Sequence, residues 1–313
     1  MPDNGLMSTR PGSHRVALEY TVVDAFTDTA LAGNPVAVVT DSIGLSTERM
    51  QAIAREFNLS ETTFVQRRPA AVEQAEGVRV RIFTTQEELP FAGHPTLGTA
   101  SVLKVNAPET AQGDTITLAL NAGPVPVRFK DRADDSTALF GEMTQRDPEF
   151  GAELDPAVVA HLTGLDPSDP DPNLPPQIVS TGIAFAIVAL RSADALSRLG
   201  VKQLEATDWL RERGARWFFV LGPTGEKEPA FRARMQFNGG EDPATGSAAG
   251  CAISFLVARR VVSSGEQILL RQGVEIRRPS DLFLRAKLSS AKVSDVRVAG
   301  STVLVAKGQL FLP

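Results

Sequence analysis

Residues 241–248, EDPATGSA, end a polar loop and open an apolar segment, and residues 94–100, HPTLGTA, repeat this pattern earlier in the chain. When His94 is aligned with Asp242, at an offset of 148 residues (242 minus 94), a proline, a glycine, a hydroxyl residue and an alanine fall at matching positions. The segments that follow have apolar residues at helical spacing, and proline is favoured in the first turn of a helix. We predict one helix over 95 to about 105 and a second over 244–258.

Two further matches extend the repeat. The sequence GNPVAVV at 33–39 resembles GIAFAIV at 182–188, at an offset of 149 residues (182 minus 33), and an Arg-x-Arg strand pattern occurs at 79–81 and again at 232–234. Three matches in the same order predict two similar halves related by a pseudo-twofold axis. Each half is expected to be a mixed sheet around one apolar helix, in the α/β (α+β) class.

The charged run KDRADDS at 130–136 has no hydrophobic periodicity and is the predicted domain boundary. We therefore expect an N-terminal domain over 16–132 and a C-terminal domain over 133–306. Residues 1–15 are polar, do not resemble a signal peptide and are expected to form a flexible tail. The chain is strand-rich from residue 266 onward, with a hairpin turn predicted near 300–301.

Composition narrows the class of protein. A chain of 313 residues suggests about two domains. The net charge of −5, without a basic run interleaved with aromatic residues, argues against a nucleic-acid partner. The longest apolar run, 183–190, is too short to span a membrane. The single cysteine, Cys251, excludes a two-cysteine catalytic pair and suits a reducing compartment, so we expect a cytoplasmic protein.

The pseudo-twofold axis is expected to bring the amino ends of the two predicted helices together. Such ends have unpaired N–H groups and a partial positive charge, so they favour a carboxylate or a developing enolate. His94 and Asp242 occupy the matching loops, where two titratable groups can remove and return a proton. Glycines that allow close approach of a ligand to the backbone accompany the loops: Gly93, Gly98, Gly240 and Gly246.

Structural alternatives remain for each of these residues. Asp242 before a proline is suited to cap the following helix, and His94 is suited to be an ordinary loop residue. Ser247, in a first helical turn, is suited to hydrogen-bond the backbone. From its local sequence alone, Glu61 is expected to be a solvent-exposed charge at the start of a strand. Cys251 lies among apolar residues, which indicates a buried structural thiol.

Several cofactor and catalytic classes find no support in the sequence. It contains no GxGxxG following a strand, no P-loop, no GxSxG and no HExxH motif. Three scattered histidines and one cysteine do not form a transition-metal site. We therefore expect no metal and no cofactor.

Long motifs, taken together, resemble the PhzF-like isomerase family of phenazine biosynthesis. The motifs are DAFTDTALAGNPVAVV (24–39), NLSETTFV (58–65), ELPFAGHPTLGTA (88–100), EDPATGSAAG (241–250) and QGVEIRRPS (272–280). The resemblance implies the diaminopimelate epimerase-like fold, in which two similar domains enclose the active site in a cleft. It also implies that the last strand, at about 307–313, returns to the first domain.

The resemblance also implies roles for residues. Glu61 is similar to the principal acid and base of the family, which removes a proton from one carbon and delivers it to another, while His94 and Asp242 assist catalysis. Ser60, Gly93, Gly246 and Ser247 resemble the substrate-binding residues. Related epimerases use two cysteines as acid and base, and on the alignment above the matching loops here carry His94 and Asp242.

Three functions follow as hypotheses. The first is a cofactor-independent isomerase of a small carboxylate, similar to trans-2,3-dihydro-3-hydroxyanthranilate isomerase. The second is a racemase or epimerase of a small amino or hydroxy acid. The third is a binding protein that has kept the cleft without catalysis. The resemblance implies a homodimer, and no membrane or nucleic-acid partner is expected.

Overall fold

The structure is a computed structural model that describes residues 16–130, 137–237 and 239–312. The expected tail at 1–15 and most of the expected boundary at 130–136 lie outside the described residues. The α-helices are α1 Thr47–Phe57, α2 Ala70–Glu76, α3 Gly93–Asn106, α4 Pro156–Thr163, α5 Gln203–Glu212 and α6 Gly246–Ala258. Short 3-10 helices cover Pro108–Thr110 and Ala193–Arg198.

Apolar spacing and end signals in the sequence predict a helix at 47–57 and strands at 61–66, 78–83 and 115–120, and the structure confirms these bounds. Eight of the described strands lie in the first part of the chain. They are β1 Val16–Ala25, β2 Asn34–Val39, β3 Glu61–Gln66, β4 Val78–Phe83, β5 Glu88–Leu89, β6 Thr115–Leu120, β7 Gly123–Lys130 and β8 Leu139–Thr144. Strands in the second part are β9 Glu149–Glu153, β10 Gln177–Ser180, β11 Ala184–Ala189, β12 Trp217–Pro223, β13 Phe231–Arg234, β14 Gln236–Phe237, β15 Gly240–Glu241, β16 Ile268–Gln272, β17 Ser280–Ser289 and β18 Lys292–Leu312.

The first half is a closed ring of strands around helix α3. Its order is β1-β2-β3-β4-β6-β7-β8-β18, and β18 pairs back onto β1. Residues 93–103 of α3 are all buried inside this ring. Because the helix is surrounded, it has no polar face, which explains why its sequence is apolar with small residues on every side.

The second half continues the same sheet through β17, β16, β13, β12, β11, β10 and β9, and it covers helix α6. Residues 246–257 of α6 are buried. Both halves contain parallel and antiparallel pairs, since β2 pairs with β3 and β11 with β12 in parallel, while β3 with β4 and β12 with β13 are antiparallel. The expected mixed sheet around one helix in each half is confirmed.

Strand β18 joins the two halves. Its first part pairs with β17 and β8, and its residues from Thr302 onward pair with β1. The predicted hairpin turn near 300–301 is therefore wrong. Position 300 requires a glycine because a Cβ there would overlap the ring of Phe26. The turn before β18 lies instead at Ser290 and Ala291, which both have positive φ.

The register of the repeat also differs from the sequence alignment. Arg81 pairs bidentately with Glu88, and Arg234 pairs in the same way with Glu241. Both pairs hold the segment that leads into a central helix, and equivalent residues are 153 apart (234 minus 81 and 241 minus 88). The ion pairs thus define a structural offset that the loop motifs alone did not reveal.

This offset aligns the helix starts, Gly93 of α3 and Gly246 of α6. His94 then corresponds to Ser247, and Asp242 corresponds to Leu89. The sequence alignment of His94 with Asp242 is wrong, because matching prolines and glycines in two small-residue loops allowed a shift of five residues.

Candidate active site

Glu61 is positioned by the end of helix α1 and the start of strand β3. The Ser46 hydroxyl caps α1, which buries Met50, Ile53 and Ala54 and ends at Asn58 in the left-handed conformation with φ 51°. The chain then reverses into β3, whose first residue is Glu61. Its side chain is 14% exposed, so Glu61 is not the solvated charge that its local sequence suggests.

His94 lies in the first turn of α3 rather than at the apex of a loop. Its side chain is 3% exposed, and its Nε2 atom lies 3.3 Å from Oε2 of Glu61. Burial lowers the pKa of His94 to about 3, because the charged ring loses its hydration. The imidazole is therefore neutral over the physiological pH range.

Asp242 follows β15 and lies against the first half. Its Oδ1 accepts a hydrogen bond from Asn34 Nδ2 at 2.6 Å, and its Oδ2 accepts one from the Thr245 hydroxyl at 2.7 Å. Burial raises the pKa of Asp242 to about 6. Helix α6 begins four residues later, at Gly246, without a side-chain cap, so the alternative of Asp242 as a helix cap is wrong.

Asn34, the first residue of β2, was not among the predicted site residues. It is fully buried, and its Nδ2 lies 3.0 Å from His94 Nδ1 as well as 2.6 Å from Asp242 Oδ1. In the sequence, AGNP reads as an ordinary turn. The available signal was its place inside one of the family motifs, at 24–39.

The electrostatics of the site favour a proton on the Glu61 carboxyl. Burial, followed by the negative charge of Asp242, raises the pKa of Glu61 well above its usual value. Buried polar atoms of three residues have no hydrogen-bond partner among the described residues, and these atoms are Asn34 Oδ1, Glu61 Oε2 and His94 Nε2. Since unpaired buried polar atoms are costly, their convergence marks a place for a polar ligand.

The amino ends of α3 and α6 face each other at Gly93 and Gly246. A Cβ on Gly93 would lie 2.7 Å from the Cα of Gly246 and from the backbone nitrogen of Ser247. These glycines thus allow the two helix ends to approach. Ser247 is buried, and its carbonyl oxygen accepts a hydrogen bond from Thr181, whereas Ser60, the residue before Glu61, is partly exposed.

The other two glycines do not serve ligand approach. Gly98 packs against strands, since a Cβ there would lie 2.5 Å from Val36 and 2.9 Å from Val23. Gly240 is exposed beside the ring of Phe237. Cys251 is buried, and burial raises the pKa of its thiol to about 11, which confirms the prediction of a buried structural thiol.

Two features concern binding elsewhere. Within 16–130, 137–237 and 239–312, no group of three or more His, Cys, Asp or Glu side chains is arranged to hold a metal ion. An open cavity of about 530 Å³, lined by residues that include Phe26, Arg271 and Asp281, lies between the halves without reaching Glu61, His94 or Asp242. We place the candidate site at Glu61, His94 and Asp242, because unpaired buried atoms of Glu61 and His94 lie 3.3 Å apart there and Asn34 connects His94 to Asp242. Over the same three ranges, the structure contains no helix long and apolar enough to cross a membrane.

Comparison with known sequences gives matches over nearly the whole chain. The family model described as "Phenazine biosynthesis-like protein" (PhzC-PhzF) matches residues 23–308. The chain is 38% identical over 296 residues to trans-2,3-dihydro-3-hydroxyanthranilate isomerase of Pseudomonas aeruginosa, with 94% of this chain and 99% of that protein covered.

Solved structures give similar matches. A phenazine biosynthesis protein of the PhzF family from Bacillus anthracis superposes with a TM-score of 0.82 at 25% identity, covering 95% of this chain and all of that one (100%). A hydroxyproline epimerase from Agrobacterium vitis shares the fold at a TM-score of 0.66 and 12% identity, covering 96% of this chain and 93% of that chain.

The two helix-centred halves and the similarity to named isomerases define an isomerase with the diaminopimelate epimerase-like fold. Its relatives of known activity carry out this class of reaction. The chain belongs to the PhzC-PhzF family of phenazine biosynthesis-like proteins.

Proposed function

We propose that this isomerase moves a proton between two carbon atoms of a small carboxylate substrate without a cofactor, in a reaction similar to that of trans-2,3-dihydro-3-hydroxyanthranilate isomerase. The observation that carries the proposal is the Glu61 carboxyl. It is buried 3.3 Å from a neutral His94, and its pKa is raised well above the usual value for glutamate. A carboxyl with a raised pKa can serve as the acid as well as the base of a proton transfer.

The proposed reaction needs one group that acts twice. Glu61, as the carboxylate, takes a proton from one carbon of the substrate, and the electron pair left behind is delocalised toward the substrate carboxylate. The Glu61 carboxyl then returns the proton to a different carbon, and the carboxylate is regenerated. Since the chain supplies both the acceptor and the donor of the proton, this step consumes no other reactant.

Two parts of the site are proposed to bind the substrate. The facing amino ends of α3 and α6, at Gly93 and Gly246, offer N–H groups to the carboxylate and to the negative charge that develops in the reaction. Ser60 and Ser247 are proposed to provide hydroxyl contacts. We expect His94 and Asp242 to orient the substrate and assist the movement of the proton.

The substitution Glu61→Gln tests the proposal, because an amide is similar in shape but cannot accept the proton. We expect turnover of trans-2,3-dihydro-3-hydroxyanthranilate, or of related cyclic and acyclic carboxylates in a screen, to fall at least about 10³-fold, while the melting temperature is maintained. Glu56→Gln, the same change on the exposed face of α1, is the control. Turnover by Glu61→Gln at the wild-type rate would refute the role of Glu61.

The position of the label in heavy water separates the proposal from its alternatives. Isomerisation places deuterium at a relocated carbon, which mass spectrometry and NMR detect. Deuterium at an inverted stereocentre, with no change of connectivity, would instead show a racemase or epimerase. Thermal stabilisation by carboxylates without any exchange would show a binding protein.

We also propose that the active form is a homodimer. One chain has a mass of 33.4 kDa, so sedimentation equilibrium should give about twice that value. A mass near that of one chain at micromolar concentration would contradict the proposal.

A further inference from the structure

The side chain of Asn34 connects the two halves of the molecule inside the site. Its Nδ2 atom lies 2.6 Å from Asp242 Oδ1, 3.0 Å from the carbonyl oxygen of Ala244 and 3.0 Å from His94 Nδ1. Asn34 and His94 come from the first half, while Asp242 and Ala244 come from the second. One buried amide group thus faces three polar atoms, one on α3 and two on the loop before α6.

The orientation of this amide is determined by its neighbours. A carboxylate oxygen and a carbonyl oxygen can only accept hydrogen bonds, so the atom of Asn34 that faces Asp242 and Ala244 has to be the NH₂ group. The opposite orientation would place three oxygen atoms against one another in a buried site. Asn34 therefore presents a donor to His94 as well, with its two hydrogens shared among three acceptors.

We propose that Asn34 is a positioning residue that selects the tautomer of His94. Because Nδ1 faces a donor, it is the unprotonated nitrogen, and the ring proton lies on Nε2. That nitrogen lies 3.3 Å from Glu61 Oε2, and since neither atom has a hydrogen-bond partner among the described residues, the N–H group is available to a ligand beside the carboxylate that takes the proton of the substrate. The catalytic part of this inference rests on the proposed function, whereas the tautomer does not.

A competing arrangement exists and makes the inference testable. The backbone of Pro35 also interacts with the His94 ring and favours its protonated form. Without the Asn34 donor, Nδ1 is able to carry the ring proton, and Nε2 would then have a lone pair beside Glu61. Selection by Asn34 thus decides whether Nε2 of His94 is a donor or an acceptor beside Glu61.

The experiment is a two-bond ¹H–¹⁵N spectrum of protein labelled at the imidazole nitrogens. Only three histidines contribute, His14, His94 and His161, and the variants His14→Asn and His161→Asn assign the His94 signals. In the ligand-free wild type we expect a neutral His94 ring with the proton on Nε2. In Asn34→Asp, whose carboxylate accepts from Nδ1, and in Asn34→Leu, which removes the donor, we expect the proton on Nδ1.

Thr245→Val is the matched control, because it removes a hydrogen bond to Asp242 Oδ2 without contacting His94. It should leave the tautomer unchanged. A wild-type ring with the proton on Nδ1, or an Nε2 proton retained in a folded Asn34→Asp variant, would overturn the inference. Asn34→Asp keeps the shape of the side chain and remains decisive if Asn34→Leu does not fold.

Kinetics then test the consequence for catalysis. We expect Asn34→Asp to lower kcat at least about 10²-fold and to change KM much less, since the substrate contacts remain. A change confined to KM would contradict the positioning role. The spectrum is recorded without substrate, so a failure of the proposed reaction, seen as full activity of Glu61→Gln, is distinguishable from a failure of this inference.

Discussion

Asp242 is buried between the two halves, where Asn34 and Thr245 donate to its two carboxylate oxygens. These hydrogen bonds lower its pKa but do not balance the loss of hydration, so the pKa rises from 3.8 to about 6. A carboxyl whose pKa is raised by folding stabilises the folded state fully below the unfolded pKa. That contribution is lost as the pH rises through the folded pKa, which here places the window at about pH 4 to 6.

The substitution Asp242→Asn should therefore stabilise the protein above this window. An amide has no charge to desolvate, and it can still accept from Asn34 and donate to the Thr245 hydroxyl. We expect the free energy of unfolding in urea to increase by about 1–3 kcal/mol at pH 7.5, with a smaller gain at pH 4.5.

Asp41→Asn, at an exposed position, is the control for this effect and should change little at either pH. Equal gains for Asp242→Asn at both pH values would contradict the assigned cause. The same variant should lose activity, which is the trade between stability and function expected at a site with buried charge.

The candidate site shows where single residues carry enough signal and where they do not. His94 and Asp242 stand out in short motifs, but nothing in NLSETTFV distinguishes Glu61 from a surface carboxylate, and only the family resemblance singled it out. The sequence does not single out Asn34, because its three hydrogen-bonding contacts are with residues 60 to 210 positions away. Local sequence does not encode such contacts.

At the scale of elements, the site depends on the contact between the ends of α3 and α6. Gly93 adopts an ordinary helical conformation, so its requirement is space rather than an unusual φ angle. A Cβ would lie 2.7 Å from the backbone of Gly246, which cannot move aside as a flexible side chain could. The two helix ends would have to separate.

Gly93→Ala should therefore destabilise the protein by about 1–3 kcal/mol and reduce activity more than this loss of stability explains. Thermal melting and kcat/KM measure the two effects. Gly200→Ala is the control, because its nearest neighbour would be 3.9 Å from the new Cβ. If Gly93→Ala retained wild-type stability and activity, the close approach of the helices would not matter to the site.

Prediction of the elements was most accurate where periodicity is local. Helix α1 and strands β3, β4 and β6 have the bounds that the sequence indicates, because their apolar spacing and end signals are clear. Helix α3 starts two residues earlier than predicted and α6 two residues later, since prolines and glycines in both loops allow several starts. The Arg-x-Arg match at 79–81 and 232–234 already has an offset of 153, and the pairing of Arg81 with Glu88 and of Arg234 with Glu241 shows that this offset is the structural one.

At the scale of the whole molecule, the repeat duplicates the scaffold but not the chemistry. Glu61 begins β3 and is aligned with Val36 of β2, and Trp217 begins β12 and is aligned with Phe185 of β11. Trp217 is thus the equivalent of Glu61, as Leu89 is of Asp242. Each ionisable residue of the site therefore has an equivalent that does not ionise, which explains why one proton-transfer site is expected from two similar halves.

The closed ring of the first half depends on the end of the chain. Deleting residues 303–313 would remove the partner of β1, along with Leu310 and Leu312, which pack against a cluster that includes Leu18 and Phe64. We expect such a truncated protein to be insoluble or to lose near-UV circular dichroism. Deleting residues 1–13, expected from the sequence to be a tail, should leave the melting temperature unchanged, and a soluble, active 303–313 deletion would refute the dependence.

Strand β18 also sets the order of events during synthesis. Val16 is paired with Leu312, so the first strand leaves the ribosome 296 residues (312 minus 16) before its partner exists. At about 5–20 residues per second this interval is about 15–60 s, during which the edge of β1 stays unpaired. The amino-terminal half therefore cannot close its ring of strands before β18 has left the ribosome, and nascent chains should depend on chaperones until then.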